Sequence, residues 1–306
     1  MIIDRVGVWT ACGGLLSSAA AWRAGIRPAT ERQVSIPSNE ARSVSLYLAP
    51  GVGEVEGVAR LAILLELALR DAGAGPGRGE PVLLVAGQPT PGLRPPDESL
   101  RYLQEVLLSS APGQARWGDR LTCMEGLAEL EEVLANSRTR SAWIAVVDTL
   151  YDEQRLERAE QAGELKGPKQ PAGLMPGEAA AVVRVVARSG AAGAQLGPVV
   201  IERGAAAAGL ARAVEMALGS ASVGHVHVDL DGTEARARLW GSALAHFGAR
   251  LERLRSWVPA LSFGEIGAAA PLLSIALALG RRLPGDTLVT MLHDDAVATI
   301  RVNRAR

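Results

Sequence analysis

The sequence predicts an α/β protein built from two similar halves. Short runs rich in apolar and β-branched residues alternate with longer segments of helical periodicity, which is typical of βαβ units around a mostly parallel sheet. The same order of elements occurs twice. Each half ends in two neighbouring strands, at residues 142–148 and 179–187 in the first half and at 287–292 and 296–302 in the second. These observations indicate an internal duplication without visible sequence identity.

Apolar periodicity and glycine-rich breaks place the elements of the first half. The clearest helix is 54–72, where Val58, Leu61 and Leu65 lie on one helical face. A polar stretch at 154–176 should form an exposed excursion before the last strand. The predicted strands are 2–10, 81–86, 142–148 and 179–187, with an extended piece at 116–121, and the predicted helices are 15–24, 54–72, 97–109 and 124–136.

The second half follows a linker of small residues at 189–197, so that the predicted domains are 1–190 and 191–306. Its predicted strands are 199–202, 225–230, 257–261, 287–292 and 296–302, and its predicted helices are 205–218, 234–254 and 266–280.

Composition excludes several classes of protein. Among 306 residues, 32 Lys and Arg stand against 33 Asp and Glu, and a net charge of −1 argues against a nucleic-acid partner. A hydrophobic fraction of 48% excludes a disordered chain. Two cysteines, Cys12 and Cys123, are too few for a disulfide scaffold or a cysteine-rich zinc site. We predict neither a metal ion nor another cofactor.

The sequence also argues against a membrane partner. Residues 1–10 read as a strand and lack the basic and apolar regions of a signal peptide. The apolar segment 205–221 carries Arg212 and Glu215, and the segment 268–279 is too short to span a bilayer. We therefore expect a cytoplasmic protein.

Two phrases of the first half resemble the β-ketoacyl synthase branch of the thiolase-like superfamily. Residues 173–183 read Gly-Leu-Met-Pro-Gly-Glu-Ala-Ala-Ala-Val-Val, similar to the Pro-Gly-Glu-x-Ala-Ala phrase that opens the last strand of that family's N-terminal half. Residues 122–128 read Thr-Cys-Met-Glu-Gly-Leu-Ala, similar to the turn that carries the family's nucleophilic cysteine, here Cys123.

Phrases of the second half extend the resemblance over nearly the whole chain. Residues 228–233, Val-Asp-Leu-Asp-Gly-Thr, fall where the family has His-Gly-Thr-Gly-Thr. Residues 263–270, Phe-Gly-Glu-Ile-Gly-Ala-Ala-Ala, fall where a Gly-His phrase precedes an alanine-rich helix. The resemblance implies a five-layered α-β-α-β-α sandwich made from two duplicated halves.

The resemblance gives Cys123 the position of an acyl-accepting nucleophile. The predicted helix 124–136 begins directly after it, and the free N–H groups and dipole of a helix N-terminus lower the pKa of a thiol. The alternative is an inert thiol in the core, because position alone does not make a cysteine reactive.

The other catalytic groups of the family are not matched. Asp231 stands where the family has its first histidine, and Glu265 stands where it has its second. A carboxylate at either place would repel an enolate that an imidazole would stabilise. His227, four residues before Asp231, would replace the first histidine if the strand were shifted.

The remaining histidines are weaker candidates. The closing turn, residues 292–295, reads Leu-His-Asp-Asp where the family has a glycine-rich turn, so His293 belongs either to a small polar site or to the tip of a turn. His225 and His227 lie two residues apart on a predicted strand and so face the same way. This suits a metal pair or, more simply, a structural role.

Two functions stay open. The first is a non-catalytic binding or adaptor protein, because the phrases of the fold persist while the residues of the chemistry do not. Its partner would be a second copy of the chain in a homodimer, an active ketosynthase, or a secreted effector. The last follows from short, degenerate thiolase-like proteins that resemble this chain and accompany type VI secretion cargo as adaptors or chaperones.

The second function is an acyltransferase or β-ketoacyl synthase that uses Cys123 as its acyl-accepting nucleophile. It requires His227, His293 or Glu265 within hydrogen-bond reach of Cys123, and an acyl carrier protein would be its partner.

Overall fold

The computed structural model describes residues 1–35, 41–88, 97–108, 111–136, 139–167, 170–187, 193–204, 207–219, 223–247, 254–280 and 285–304. The strands are β1 (Ile2–Thr10), β2 (Thr30–Ser35), β3 (Ala41–Leu46), β4 (Val82–Gly87), β5 (Gly113–Gly118), β6 (Ser141–Thr149), β7 (Glu178–Val186), β8 (Ala194–Leu196), β9 (Val200–Arg203), β10 (Val223–Val228), β11 (Arg255–Trp257), β12 (Asp286–Leu292) and β13 (Ala296–Arg304). The helices are α1 (Leu15–Arg23), α2 (Gly57–Asp71), α3 (Asp97–Leu108), α4 (Arg120–Asn136), α5 (Glu153–Gln161), α6 (Ala207–Leu218), α7 (Glu234–Phe247), α8 (Ala260–Phe263) and α9 (Ala270–Gly280).

The two halves share one strand topology, which confirms the duplication. The first half has the spatial order β5-β4-β6-β7-β1, and the second has β11-β10-β12-β13-β9. Counting only the strands of the large sheet, the third strand of each half, β5 or β11, lies at the edge. The fifth strand, β7 or β13, runs antiparallel to its neighbours. The short strand β8 pairs with β1 and with β13 and joins the halves into one sheet of eleven described strands.

Helices cover both faces of each half, which confirms the five layers. The side chains of β6 alternate: Ile144 and Val146 enter a core shared with α4 and α9, whereas Ala145 and Val147 enter a core shared with α2 and α3. The core around α4 and α9 also takes in side chains of β12 and β13, so these two helices lie between the halves. A third core packs α6 and α7 on the outer face of the second half.

Several boundaries differ from those predicted. The hairpin β2–β3 was not expected, because most residues of its strands are polar. The stretch 154–176 is not simply exposed, since Leu156 and Leu165 are buried in a small core with Val44 and Leu46 of that hairpin. The predicted strand 257–261 is divided between β11 and α8.

Two further expectations concern the ends of segments. The predicted domain boundary at residue 190 falls in 188–192, outside the described residues. The predicted helix 234–254 is confirmed as far as Phe247; residues 248–253 lie outside the described residues, and residue 254 is not helical. Within the described part of the chain, no helix combines the length and the apolar character needed to cross a bilayer.

A buried ion pair anchors the start of β7. Glu178, in the Pro-Gly-Glu phrase, accepts hydrogen bonds from Arg60, from the N–H of Ala49 at 2.7 Å and from Oγ1 of Thr149 at 2.9 Å. The side chains of Arg60 and Glu178 are 1% and 0% exposed. Both charges are thus satisfied in the interior, and either one left alone would be an uncompensated buried charge.

We predict that Glu178→Ala lowers the free energy of unfolding by about 3–5 kcal/mol, because it leaves the guanidinium of Arg60 buried and unpaired. Urea unfolding followed by circular dichroism measures the loss. The control is Arg238→Ala, which breaks an exposed pair with Glu234 and should change the free energy by less than about 1 kcal/mol. Equal losses in the two variants would contradict the prediction.

Candidate functional site

Arg120 joins the two halves of the molecule through two carboxylates. It is the first residue of α4, and its Nη1 donates to Oδ2 of Asp229 at 2.6 Å while its Nη2 donates to Oε1 of Glu265 at 2.5 Å. Asp229 directly follows β10, and Glu265 follows α8. All three side chains are buried. The carboxyl end of a strand in the second half is thereby fixed to a helix of the first half.

A second arginine completes this cluster, which we call the Arg–carboxylate cluster: Arg120, Arg236, Asp229, Asp231 and Glu265. Arg236 of α7 lies 3.5 Å from Asp229, 3.2 Å from Asp231 and 3.2 Å from Glu265. The structure therefore brings together the two acids predicted at the family's histidine positions, but with guanidinium groups as their counter-ions.

Backbone and hydroxyl groups also donate to the three carboxylates. The N–H of Leu292 donates to Oδ2 of Asp229 at 3.1 Å, and the N–H of Gly267 donates to Oε1 of Glu265 at 2.6 Å. Asp231 accepts from the N–H and the hydroxyl of Thr233 at 2.9 and 2.7 Å. Each of the three carboxylates thus accepts a hydrogen bond from the backbone in addition to its ion pair with an arginine.

The cluster contains three carboxylates and two guanidiniums, and the pKa values reflect the imbalance. Burial raises the pKa of Asp229 to about 6; Arg120 offsets part of this cost, and Glu265 adds repulsion. Burial, with the charge of Glu265, also raises the pKa of Asp231. For Arg120, burial opposes the charge, but Asp229 and Glu265 together raise the pKa of the guanidinium and keep it ionised.

Cys123 does not lie at a helix start, and that prediction was wrong. Helix α4 begins at Arg120 because Oδ1 of Asp119 accepts from the N–H of Thr122 at 2.9 Å and caps the helix. The N–H of Cys123 already donates to the carbonyl of Asp119 at 3.1 Å. The thiol is 0% exposed, and burial raises its pKa to about 12. It is therefore protonated at neutral pH.

His227 lies in the apolar layer between β10 and α9. Its Nδ1 lies 2.9 Å from the carbonyl oxygen of Ser274, and its ring meets that of Trp22 edge-on with centroids 4.8 Å apart. Trp22 in turn packs on Trp257. This is the structural role favoured for the strand histidines. The described residues contain no group of three or more His, Cys, Asp or Glu side chains arranged to hold a metal ion.

His293 links the β12–β13 turn to the start of α4. Its Nε2 lies 3.0 Å from Oδ2 of Asp119, and its Nδ1 lies 2.7 Å from Oδ1 of Asp295. Both ring nitrogens therefore face carboxylates. His293 thus forms a small polar contact at the turn, next to the cap of the helix that carries Cys123.

A cavity of about 470 Å³ lies between α5 and the Arg–carboxylate cluster. Residues of α5 and of the following loop form one wall, and the cluster forms the floor. Cys123 is not among its lining residues, which are Arg120, Leu150, Arg155, Leu156, Arg158, Ala159, Ala162, Glu164, Leu165, Leu174, Pro176, Asp231, Arg236, Glu265 and Gly267.

Arg155 and Asp148 support the side of this cavity. Nη1 of Arg155 donates to the carbonyls of Gln88 and Thr149, both at 3.1 Å, and to Oδ1 of Asp148 at 3.4 Å. Burial raises the pKa of Asp148, and Arg155 offsets part of that rise. A Cβ atom at Gly267 would lie 1.9 Å from Oδ2 of Asp148, so glycine is required there for the carboxylate to fit.

Sequence reasoning missed the arginines of this site. Arg120, Arg155 and Arg236 lie in helical segments of ordinary polarity, and isolated arginines on a helix normally face solvent. One signal was present, because three acids at otherwise buried positions require counter-ions from elsewhere in the chain.

Asp229 should lower the free energy of unfolding as pH rises from about 4 to above about 6. Its pKa of about 6 in the native state lies above its ordinary value of 3.8, so its contribution is fully present below about 3.8 and is lost as pH rises through about 6. Urea unfolding at a series of pH values should show a flatter dependence in Asp229→Asn than in the wild type. The exposed control Asp294→Asn should follow the wild type; an Asp229→Asn profile parallel to both would contradict the prediction.

Comparison with known proteins places the fold. No protein-family model and no curated protein sequence matches the chain. Solved structures do match, among them the ishigamide ketosynthase/chain length factor, with 16% identity and a TM-score of 0.72 over 100% of this chain and 99% of that one. A type II polyketide synthase ketosynthase, solved in complex with its acyl-carrier protein, has 11% identity and a TM-score of 0.76 over 99% of each chain.

The 3-oxoacyl-(acyl-carrier-protein) synthase III of Aquifex aeolicus matches at 12% identity, with a TM-score of 0.60 over 99% of both chains. Identities this low establish a shared architecture rather than a shared reaction. The chain therefore has the thiolase fold that the ketosynthases share.

Proposed function

We propose that this chain is a non-catalytic thiolase-fold protein that binds a protein partner. The observation that carries the proposal is the Arg–carboxylate cluster: Asp231 and Glu265, at the positions where the resemblance expects histidines, are paired with Arg236 and Arg120.

The chemistry of condensation explains why this pairing matters. A ketosynthase-type reaction needs proton donors that polarise a thioester carbonyl and hold the resulting enolate. An ionised carboxylate is an acceptor only, and Glu265 accepts from Arg120, Arg236 and the N–H of Gly267. Glu265 is therefore engaged by three donors and joins the two halves through Arg120. Asp231 is engaged by Arg236 and Thr233 within the second half.

The acyl-transfer alternative depends on Cys123. A thiol must be accessible and partly ionised to attack an acyl donor, and burial works against both for Cys123. Its surroundings in α4 are the apolar side chains of the central core. These contacts favour the inert thiol, and with it the non-catalytic protein.

We predict that Cys123 forms no covalent acyl adduct when the protein is incubated with acyl-CoA or an acylated carrier protein, as measured by intact-protein mass spectrometry. Iodoacetamide should alkylate the half-buried Cys12 before Cys123, because Cys123 is fully buried and burial raises the pKa of its thiol. Urea-unfolded protein is the control, in which both cysteines should react. An acyl adduct that disappears in Cys123→Ala would support the enzyme instead.

The edge strand β5 offers a surface for a partner. It pairs with β4 on one side, and no strand of the described chain lies on its other side. The carbonyl of Pro112 accepts from the N–H of Val82 in β4, so the N–H of Ala115 points away from that strand. Exposed strand edges recruit further strands, and thiolase-like proteins usually pair through sheet edges.

We predict that Ala115→Pro abolishes self-association or partner capture through this edge, because it removes an outward N–H group and leaves the β4–β5 ladder intact. Analytical ultracentrifugation and affinity capture from the source organism are the measurements. Ala115→Ser, which keeps the N–H, is the matched control, and thermal unfolding verifies that both variants fold. Wild-type association by Ala115→Pro would contradict pairing through β5.

The captured protein decides between the settings implied by the resemblance. A ketosynthase would support a role like that of a chain length factor, a secreted effector would support an adaptor or chaperone of type VI secretion cargo, and a second copy would support a homodimer. An acyl carrier protein, captured together with acyl transfer to Cys123, would overturn the proposed function.

A further inference from the structure

The cavity above the Arg–carboxylate cluster has two chemically different sides. Apolar side chains form one side: Leu150, which precedes α5, and Leu156, Ala159, Ala162, Leu165, Leu174 and Pro176 of α5 and the following loop. The other side is charged. Four arginines and three acids line the cavity, and two further acids, Asp148 and Asp229, contact Arg155 and Arg236 from outside the lining. A volume of about 470 Å³ is within the range of small-molecule sites.

Two of these arginines retain N–H groups for a ligand. Arg236 donates one hydrogen bond, from Nη1 to Oε2 of Glu265 at 3.2 Å, and its Nη2 donates to no described residue. Arg155 uses only Nη1, so its Nε and Nη2 likewise donate to no described residue. The side chain of Arg236 is 17% exposed and that of Arg155 is 21% exposed, so both are largely buried. Both line the same cavity.

The carboxylates of the floor are, in contrast, already engaged. Glu265 accepts at both oxygens, Oε1 from Arg120 and Gly267 and Oε2 from Arg236. Asp231 accepts at Oδ1 from Thr233 and lies against Arg236 through Oδ2. The floor of the cavity therefore has hydrogen-bond donors in surplus, and a group that supplies acceptor oxygens satisfies them; the exposed Glu164 lines the cavity from the loop after α5.

We propose that this cavity is a binding site for a small organic carboxylate, with its anionic head between Arg155 and Arg236 and its apolar body against Leu156, Leu165 and Leu174. A carboxylate matches a guanidinium by two parallel hydrogen bonds, and an aliphatic body removes apolar surface from water. The site goes beyond the proposed function, and its failure would leave that function standing.

Binding of an anion is linked to protonation of the cluster. Asp229 is faced by Arg120 from α4, by Arg236 from α7, by Glu265 from the segment after α8 and by the N–H of Leu292 from β12. A carboxylate placed on Arg236 competes with Asp229 for that guanidinium, and protonation of Asp229 removes the competition. The carboxylate should therefore bind more tightly below about pH 6 than above it.

Isothermal titration calorimetry of the full chain with hexanoate and with hexylammonium tests the proposal. Hexanoate should bind, more tightly at about pH 5 than at about pH 7.5, and hexylammonium should not. The variant Arg236→Gln should weaken hexanoate binding roughly ten- to a hundredfold, the loss expected for a hydrogen bond to a charged group. Arg238→Gln, on the exposed side of the same helix, should bind as the wild type does.

A second variant keeps the test decisive if Arg236→Gln fails to fold. Ala159→Trp fills the cavity from α5 and leaves every arginine in place, and it should abolish hexanoate binding, whereas Gln161→Trp on the exposed side of α5 should not. Binding of hexylammonium in preference to hexanoate, or hexanoate binding that survives Ala159→Trp, would overturn the proposal, as would an absence of binding to the wild type.

Discussion

The hydrogen-bonded ion pairs from Arg120 to Asp229 and Glu265 connect the two halves of this molecule. Unlike the apolar contacts of the core between the halves, they are directional. They link residues 109 and 145 positions apart in the chain, and they do so in the interior, where an ion pair persists only if its geometry and its other hydrogen bonds are satisfied. The glycine at 267, the turn at Thr233 and the end of β12 all contribute donors to this cluster.

The same cluster separates this chain from the enzymes whose architecture it shares. The resemblance expects proton-donating histidines at two of these positions, and the structure places there the carboxylates of Asp231 and Glu265, paired with arginines. The thiol itself lies one turn inside α4, packed between the two halves, where ionisation would be costly. The fold needs an apolar side chain at this place, and a protonated cysteine meets that need.

The cavity lies beside α5, and Cys123 does not line it. The stretch expected to be a solvated excursion instead packs Leu156 and Leu165 inward and covers the arginine side chains, which produces a cavity with one apolar and one charged side. Such a cavity, together with a strand edge on which no described strand pairs, agrees with the binding function proposed above. The cavity and the strand edge both belong to a fold that the chain shares with the ketosynthases over its whole length.

The sequence by itself determined the main strands and helices of the two halves and their duplication. Each of these follows from local periodicity or from residue identity. It did not determine the start of α4, because a cap by Asp119 outweighs the apolar pattern that begins later, nor the polar hairpin β2–β3. Only the tertiary structure decided that Arg120 and Arg236 meet the three acids, because ion pairing depends on which distant residues the folded chain brings together.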